Sequence, residues 1–201
     1  MQYNNNVVTG LKIAYIGGGS RGWAWGLMSD LASCDDINGD VYLYDIDMEA
    51  AKNNEVIGNK FNNAEGAKSV WNYHAAETIE EALTGANFIV ISILPGTFDE
   101  MESDVHLPEK YGIYQSVGDT SGPGGIVRAM RTIPMYEYIA KMYFKTYLIP
   151  GMSEEEAVQV FDTFYEEITF NFENMNRKYT IDENTFLPVF EEMLAEFQYL
   201  G

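Results

Sequence analysis

The sequence has little positive charge: 12 lysines and arginines stand against 31 aspartates and glutamates, a formal net charge of −19. Such an acidic chain is repelled by nucleic-acid phosphates and anionic lipids, so we expect neither a nucleic-acid nor a membrane partner. It also lacks an apolar run of the ~18 residues that a membrane-spanning helix needs. The first residues, MQYNNNVVTG, lack the basic and then apolar pattern of a secretory signal, which favours a cytoplasmic location.

Cysteine and histidine are also scarce, with one cysteine, Cys34, and two histidines, His74 and His106. A single cysteine excludes an intrachain disulfide and a cysteine-cluster zinc site. Because neither histidine has a second soft ligand near it, we expect both to be structural or at the surface, and we predict no metal ligand. The acidic stretch between Asp99 and Asp104 is expected to be a solvated loop, since cation sites need convergent oxygen ligands.

Short apolar runs alternate with helical patterns along the first hundred residues, which predicts an α/β fold built on a parallel sheet. We expect a Rossmann-like, doubly wound domain over residues 1–149, with right-handed crossovers. Residues 97–123, rich in glycine and proline, are predicted to form a long loop. A helix from about Gly124 to Tyr147 should follow, with a kink or break at Pro134. The other predicted strands are 11–16, 41–46, 69–75 and 87–94, and the other predicted helices are 20–33, 48–62 and 78–84.

The last fifty residues differ in composition from the rest, since more than half of the excess negative charge falls in residues 151–201. Ser153 and Glu156 have the spacing of a capping box and precede an apolar helical pattern. A second amphipathic pattern follows from about Thr185 to Tyr199. The sequence therefore predicts an acidic helical hairpin over residues 150–201.

A glycine-rich turn follows the first predicted strand and opens the first predicted helix. Its sequence, Gly17-Gly18-Gly19-Ser20-Arg21-Gly22, fits the dinucleotide-binding pattern G-x-G-x-x-G. In that pattern Gly17 allows the tight turn, Gly19 lets the backbone approach a pyrophosphate, and Gly22 lets the helix pack close to its strand. Asp45, at the end of the second strand, is placed to bind a ribose hydroxyl and favours NAD over NADP. The alternative is a plain glycine turn without a nucleotide. Trp23 and Trp25, beside the turn, are expected to pack.

Four segments together resemble glycoside hydrolase family 4: KIAYIGGGSRGW, LYDID, ISILPG and DVHLPEKYGIYQSVGDTSGPGGIVRAMRTIP. The resemblance covers roughly residues 11–140 and is strongest to the α-galactosidase, α-glucosidase and α-galacturonidase branch. It implies NAD and a divalent metal, usually manganese, as cofactors. It also implies hydrolysis by oxidation of the sugar C3 hydroxyl, elimination of the glycosidic oxygen, addition of water and return of the hydride, outside the usual two-carboxylate scheme.

The resemblance also assigns individual residues. It implies that Ile93, Leu94 and Pro95 line the nicotinamide. Gln115, Asp119 and the loop 122–125 would lie near the nicotinamide and the sugar, and His106 belongs to the same family-like segment. Phosphosugar-specific relatives carry an arginine just after this strand, and its absence here favours an unphosphorylated glycoside. The pyrophosphate contacts implied are those of Gly17, Gly18, Gly19, Ser20 and Arg21.

The chain also departs from the family pattern. The family's metal-binding cysteine and histidine and its catalytic base follow an Asn-x-x-Asn-Pro segment that is not found here. We therefore assign no catalytic residue and expect a truncated member that is incomplete for catalysis, and a homo-oligomer. One alternative is a non-catalytic NAD-binding, sensing or oligomerising module. Another is a degenerate fragment that folds but binds nothing.

Overall fold

The computed structural model of the protein describes residues 1–4, 6–115, 122–148, 153, 155, 156, 159 and 162. The chain divides into two compact units. The sheet unit is Met1–Ile93 with Lys141–Phe161, and the helical unit is Leu94–Ala140 with Asp162–Gly201. The predicted boundary at residues 149 and 150 and most of the predicted hairpin lie outside the described residues and stay predictions.

The sheet unit contains five strands: β1 (Gln2–Asn4), β2 (Val7–Ile16), β3 (Ile37–Tyr44), β4 (Trp71–Ala75) and β5 (Phe88–Ile91). β2 pairs in parallel with β3 on one side and with β5 on the other, and β4 extends the sheet beyond β3. The register places Ile16 opposite both Tyr44 and Ile91, so three strands end at the same edge of the sheet. This confirms the predicted Rossmann-like fold. β1, which pairs antiparallel with the start of β2, was not predicted.

Three helices connect these strands: α1 (Trp23–Ser33), α2 (Met48–Phe61) and α3 (Ile79–Leu83). α1 and α2 bury apolar side chains against β2, β3 and β4, where Trp71 and Leu43 are fully buried. β4 has no strand partner on its outer side among the described strands. Asn59 of α2 and Asn62, which caps its C-terminal end, bond the backbone N–H and carbonyl groups of Tyr73 and Trp71 there, at 2.8–3.0 Å, so the end of α2 covers that edge.

The helical unit contradicts the predicted loop over residues 97–123. Residues Phe98–His106 form α4, and a 3₁₀ helix follows at Leu107–Tyr111. α4 begins with a complete capping box, in which the Thr97 hydroxyl accepts from the N–H of Glu100 and the Glu100 carboxylate accepts from the N–H of Thr97. The Thr97 hydroxyl also accepts from the N–H of Asp99. The hydrogen bonds that the Thr97 hydroxyl and the Thr97 N–H donate to the Glu100 carboxylate lower its pKa. The local capping signal outweighs the glycines and prolines around it.

The last long helix, α5, spans Gly122–Tyr143 and continues as a π-helix over Phe144–Leu148. The helix continues through Pro134, so the break that was one of the two outcomes predicted for this residue does not occur. The predicted capping box further along the chain is present, since the Ser153 hydroxyl and N–H both bond the Glu156 carboxylate at 2.9 Å. Within the described residues, no helix combines the length and the apolar character needed to cross a membrane.

Candidate functional site

The glycine-rich turn is held between the ends of three strands. The N–H groups of Gly17 and Gly18 both donate to the carbonyl oxygen of Tyr44, each at 2.9 Å. Gly17 has a left-handed φ of 91°, and a Cβ atom at this position would collide with the carbonyl oxygen of Ser92. Only glycine fits such a backbone without strain, so the tight-turn role predicted for Gly17 is confirmed.

The other three glycines of the turn do not all act as the motif predicts. A Cβ at Gly18 would lie 2.7 Å from the Cβ of Leu43, so this residue makes the close approach to the sheet. A Cβ at Gly19 would lie 2.7 Å from the Cβ of Ala50. Gly22 has a φ of −85° and would place a Cβ in open space, with nothing within 4 Å. The close helix packing expected at Gly22 is therefore wrong, and the close approach within this motif is that of the turn to β3 at Gly18.

The backbone N–H groups that remain available lie further along the turn than expected. Gly17 and Gly18 donate to Tyr44, and Ser20 donates to the carbonyl of Gly17 at 3.1 Å. The N–H of Gly19 donates to the Asp45 carboxylate at 2.8 Å. In the described part of the chain, no acceptor bonds the N–H groups of Arg21, Gly22 or Trp23. These groups lie at the positive end of the α1 dipole and suit a phosphate.

Asp45 stands at the end of β3, half-buried, with both carboxylate oxygens on backbone donors. Oδ2 accepts from Gly19 and Oδ1 accepts from the N–H of Asp47 at 2.9 Å. Each oxygen keeps a second lone pair that can accept from a ribose hydroxyl. The next side chain, Ile46, is 97% exposed. An open apolar surface therefore stands beside the carboxylate.

Asn54 of α2 contacts the turn and was missed by sequence reasoning. Its side-chain NH₂ donates to the carbonyl oxygens of Gly18 and Ser20, at 2.7 and 2.9 Å. Its Oδ1 accepts from the indole N–H of Trp25 at 2.8 Å. The available signal was a polar residue on the helix face that buries Ala51 and Gly58. Trp25 thus makes a specific hydrogen bond, whereas Trp23, expected to pack, is 80% exposed.

The three residues after β5 that were predicted to line the nicotinamide differ in their burial. Ile93, the last residue of the first segment of the sheet unit, is half-buried. In the helical unit, Leu94 is exposed and Pro95 is buried.

The substrate residues predicted in the helical unit are not all brought together. Gln115 donates from Nε2 to the backbone carbonyl of Asp104 at 3.0 Å. A Cβ at Gly122 or Gly124 would collide with the Gln115 side chain, so those glycines make room for it. The Gln115 Oε1 atom is buried and has no hydrogen-bond partner among the described residues. His106 instead pairs with Glu109 at 3.1 Å, and Asp119 lies outside the described residues.

The acidic stretch of the helical unit is not the solvated loop that was expected. It lies within α4, and Asp104 is only 2% exposed and forms an ion pair with Arg131. Burial raises the pKa of the Asp104 carboxyl, and the positive charges of Arg131 and Arg128 oppose that rise. Burial of a charged pair costs solvation, and the hydrogen bond from Arg131 offsets only part of that cost for Asp104.

The described residues do not fit a metal ion. Among them, no group of three or more histidines, cysteines, aspartates or glutamates is placed to hold one. His74 bonds Asp40 at 3.0 Å on the half-exposed surface, in line with the expected surface role.

Comparisons with known proteins agree with the geometry. The sequence profile of the family 4 glycosyl hydrolases matches residues 12–146. An alpha-galacturonidase of Lachnoclostridium phytofermentans is 65% identical over 140 residues, which are 70% of this chain and 30% of that protein. A crystal structure of a Bacillus subtilis protein, provisionally described as a glucosidase, is 55% identical, with a TM-score of 0.61, over 67% of this chain and 30% of that one.

A third similar protein, the 6-phospho-beta glucosidase of Thermotoga maritima, was crystallised with manganese, NAD⁺ and glucose-6-phosphate. It is 28% identical to this chain, with a TM-score of 0.56, over 68% of this chain and 32% of that one. The chain thus spans about 30% of the length of these relatives.

Proposed function

This chain belongs to the family 4 glycosyl hydrolases, and on that premise we propose that its sheet unit binds NAD. The observation that carries the proposal is the glycine turn itself. Gly18 and Gly19 leave no room for side chains, and the N–H groups at the start of α1 are left open for the pyrophosphate. A family 4 structure of the same fold holds NAD⁺, which supports the proposal.

Within this site each group has a distinct role. The N–H groups of Arg21, Gly22 and Trp23 donate to the pyrophosphate. Asp45 accepts from the ribose of the adenosine half, and its negative charge disfavours the 2′-phosphate of NADP. Ile46, which is almost fully exposed, provides an apolar surface for the adenine ring.

We extend the proposal to the nicotinamide half by family resemblance. Ile93, Leu94 and Pro95 follow β5 and line the nicotinamide ring. Gln115, Asp119 and His106 belong to the sugar-binding side. When bound, NAD accepts a hydride from a sugar hydroxyl carbon and later returns it. The protein's part is to hold the dinucleotide, through the turn, Asp45 and the segment after β5.

The substrate class proposed is an unphosphorylated α-glycoside, and specifically an α-galacturonide. The name of the 65%-identical relative supports the galacturonide. No arginine occurs in the segment 93–96, where phosphosugar-specific members carry one. The sugar of such a substrate carries a carboxylate and no phosphate.

We propose further that this chain alone does not complete the reaction. Its described residues offer no metal site, and the family's metal ligands and catalytic base are not recognised in its sequence. The same observation favours the second candidate function, a non-catalytic NAD-binding module. A homo-oligomeric state and a cytoplasmic location both stay predictions. Light scattering of the purified protein tests the oligomeric state.

Calorimetry with NAD and NADP tests the proposed binding. Wild-type protein should bind NAD and prefer it to NADP, and Asp45→Arg should lose that preference. Asp35→Arg, an equal charge change at an exposed position, should bind as wild type. The absence of heat and of thermal stabilisation at saturating NAD would refute the proposal. Turnover of an aryl α-galacturonide with NAD, manganese and a reductant would refute only the claim that this chain is incomplete.

A further inference from the structure

The side chain of Asn54 is the only neutral polar side chain that the structure buries, among the residues it describes. It lies on α2 at 2% exposure and makes three hydrogen bonds, all of them to α1 or to the glycine turn. A buried amide that lost any of these partners would cost free energy, so its orientation is closely determined.

Trp25 reinforces the orientation of that amide which the turn carbonyls require. An indole N–H can only donate, so it requires the oxygen of Asn54 on its side. The NH₂ group must then face the turn, where its two hydrogens bond the carbonyl oxygens of Gly18 and Ser20. Without the indole N–H, the two carbonyls would still require the NH₂ group, but the buried amide oxygen would lose its donor and the side chain would be held by two hydrogen bonds instead of three.

Holding a carbonyl oxygen also fixes the direction of the next N–H, because a trans peptide is planar and its C=O and N–H point opposite ways. The Gly18 carbonyl points to Asn54, so the N–H of Gly19 points away from it and meets Asp45. The Ser20 carbonyl points to Asn54 as well. The N–H of Arg21 therefore points outward, where no described residue accepts it.

We propose that Asn54 and Trp25 form a positioning pair that aims the peptide N–H of Arg21 at the dinucleotide pyrophosphate. Asn54 directs the Gly19 N–H to the ribose-binding Asp45 and the Arg21 N–H to the phosphate, and Trp25 keeps Asn54 in the orientation that does so. The inference rests on the proposed NAD binding and adds residues outside the glycine motif that determine its affinity.

Two variants test the pair in the full-length chain. Asn54→Asp keeps the shape but places a carboxylate oxygen against two carbonyl oxygens, and NAD affinity should fall at least about a hundredfold. Trp25→Phe removes the indole N–H together with part of a ring that is 41% exposed, and NAD affinity should fall about tenfold. The controls are Asn53→Asp, the same change on the exposed neighbour, and Trp71→Phe, which loses an indole bond to Ser69 far from the turn. Both controls should bind NAD as wild type does.

Adenosine separates positioning from general stability, because it lacks the pyrophosphate. Its affinity, measured by competition with NAD, should change much less than that of NAD in both variants. Equal losses for NAD and adenosine, or none, would overturn the inference. If Asn54→Asp does not fold, the NAD and adenosine affinities of Trp25→Phe alone test the inference. Wild-type protein that binds no NAD would instead refute the proposed function and, with it, this inference.

Discussion

The sheet unit and the helical unit bury polar side chains in opposite ways. Among the described residues, two polar side chains are buried, Asn54 in the sheet unit and Asp104 in the helical unit, each 2% exposed. Asn54 is neutral and bonds the turn and an indole. Asp104 is acidic and is paired with the guanidinium of Arg131. The comparison teaches that the buried polar group of the sheet unit holds the glycine turn without a charge of its own, whereas that of the helical unit is half of an ion pair between α4 and α5.

The two units also differ in how many of their apolar side chains are buried. In the sheet unit, α1 and α2 cover an extended cluster of buried apolar residues. In the described part of the helical unit, the buried cluster is Leu107 and Val127, with Ile113 packed against it. Large apolar side chains along α5, such as Met130 and Ile133, are 42% and 50% exposed. We expect the free energy of unfolding to be most sensitive to the backbone geometry of the glycine turn in the sheet unit. In the helical unit we expect it to be most sensitive to the pair of Asp104 and Arg131.

The largest effect is expected at Gly17. Gly17→Ala introduces a Cβ into the carbonyl of Ser92 at a left-handed φ, and should lower the free energy of unfolding by roughly 4 kcal/mol or more. Gly22→Ala in the same turn meets open space, and should change it by less than about 1 kcal/mol. Urea unfolding followed by circular dichroism measures both. Equal losses of stability in the two variants would contradict the close approach of Gly17 to the Ser92 carbonyl.

The next effect concerns the ion pair of the helical unit. Arg131→Met leaves Asp104 buried without its cation and should lower the free energy of unfolding by about 3 kcal/mol. The matched control is Glu109→Gln, which breaks an exposed pair with His106 and should cost less than about 1 kcal/mol. A loss no larger for Arg131→Met than for the control would show that the pair contributes nothing net.

A smaller effect is the pH dependence that Asp104 causes. Burial raises its pKa above the ordinary 3.8 in the folded state, so folded protein keeps this proton to higher pH than unfolded protein. The stability contributed by this group is complete below its unfolded pKa and is lost as the pH rises through its folded pKa. Wild type should therefore lose stability relative to Asp104→Asn over that range. A relative gain with rising pH would mean that Arg131 outweighs burial.

The smallest effects are expected at the helix caps, where the two units should behave alike. Thr97→Ala removes the cap of α4, and Thr78→Ala removes the hydroxyl that accepts from the N–H of Glu81 at the start of α3. Each should lower the free energy of unfolding by about 1 kcal/mol. Thermal unfolding of both variants checks this. A much larger loss at Thr97 would mean that the capping box is needed for the helical unit to fold at all.

What could be predicted from the sequence depended on how local each signal was. The turn, Asp45 and the order of β2, α1, β3 and α2 follow from apolar runs and glycine spacing along a continuous segment. β1 is three exposed residues long, so it carries no apolar pattern. α4 was not predicted because the surrounding glycines and prolines are typical of a loop, whereas the capping signal consists only of Thr97 and Glu100.

The contacts that shape the site could not be predicted in the same way. The bonds of Asn54 reach residues 34 and 36 positions away, and the pairing of Asp104 with Arg131 spans 27 positions. Such contacts depend on the tertiary fold rather than on local sequence. The misplaced role of Gly22 has the same origin, because the motif gives the order of the glycines but not the distance of each from the sheet.

The most direct test is a crystal of the protein soaked in NAD. The account predicts electron density for a pyrophosphate within hydrogen-bond distance of the N–H groups of Arg21 and Gly22, with a ribose hydroxyl on Asp45. Density for the dinucleotide elsewhere, or a turn that stays empty at saturating NAD, would contradict it.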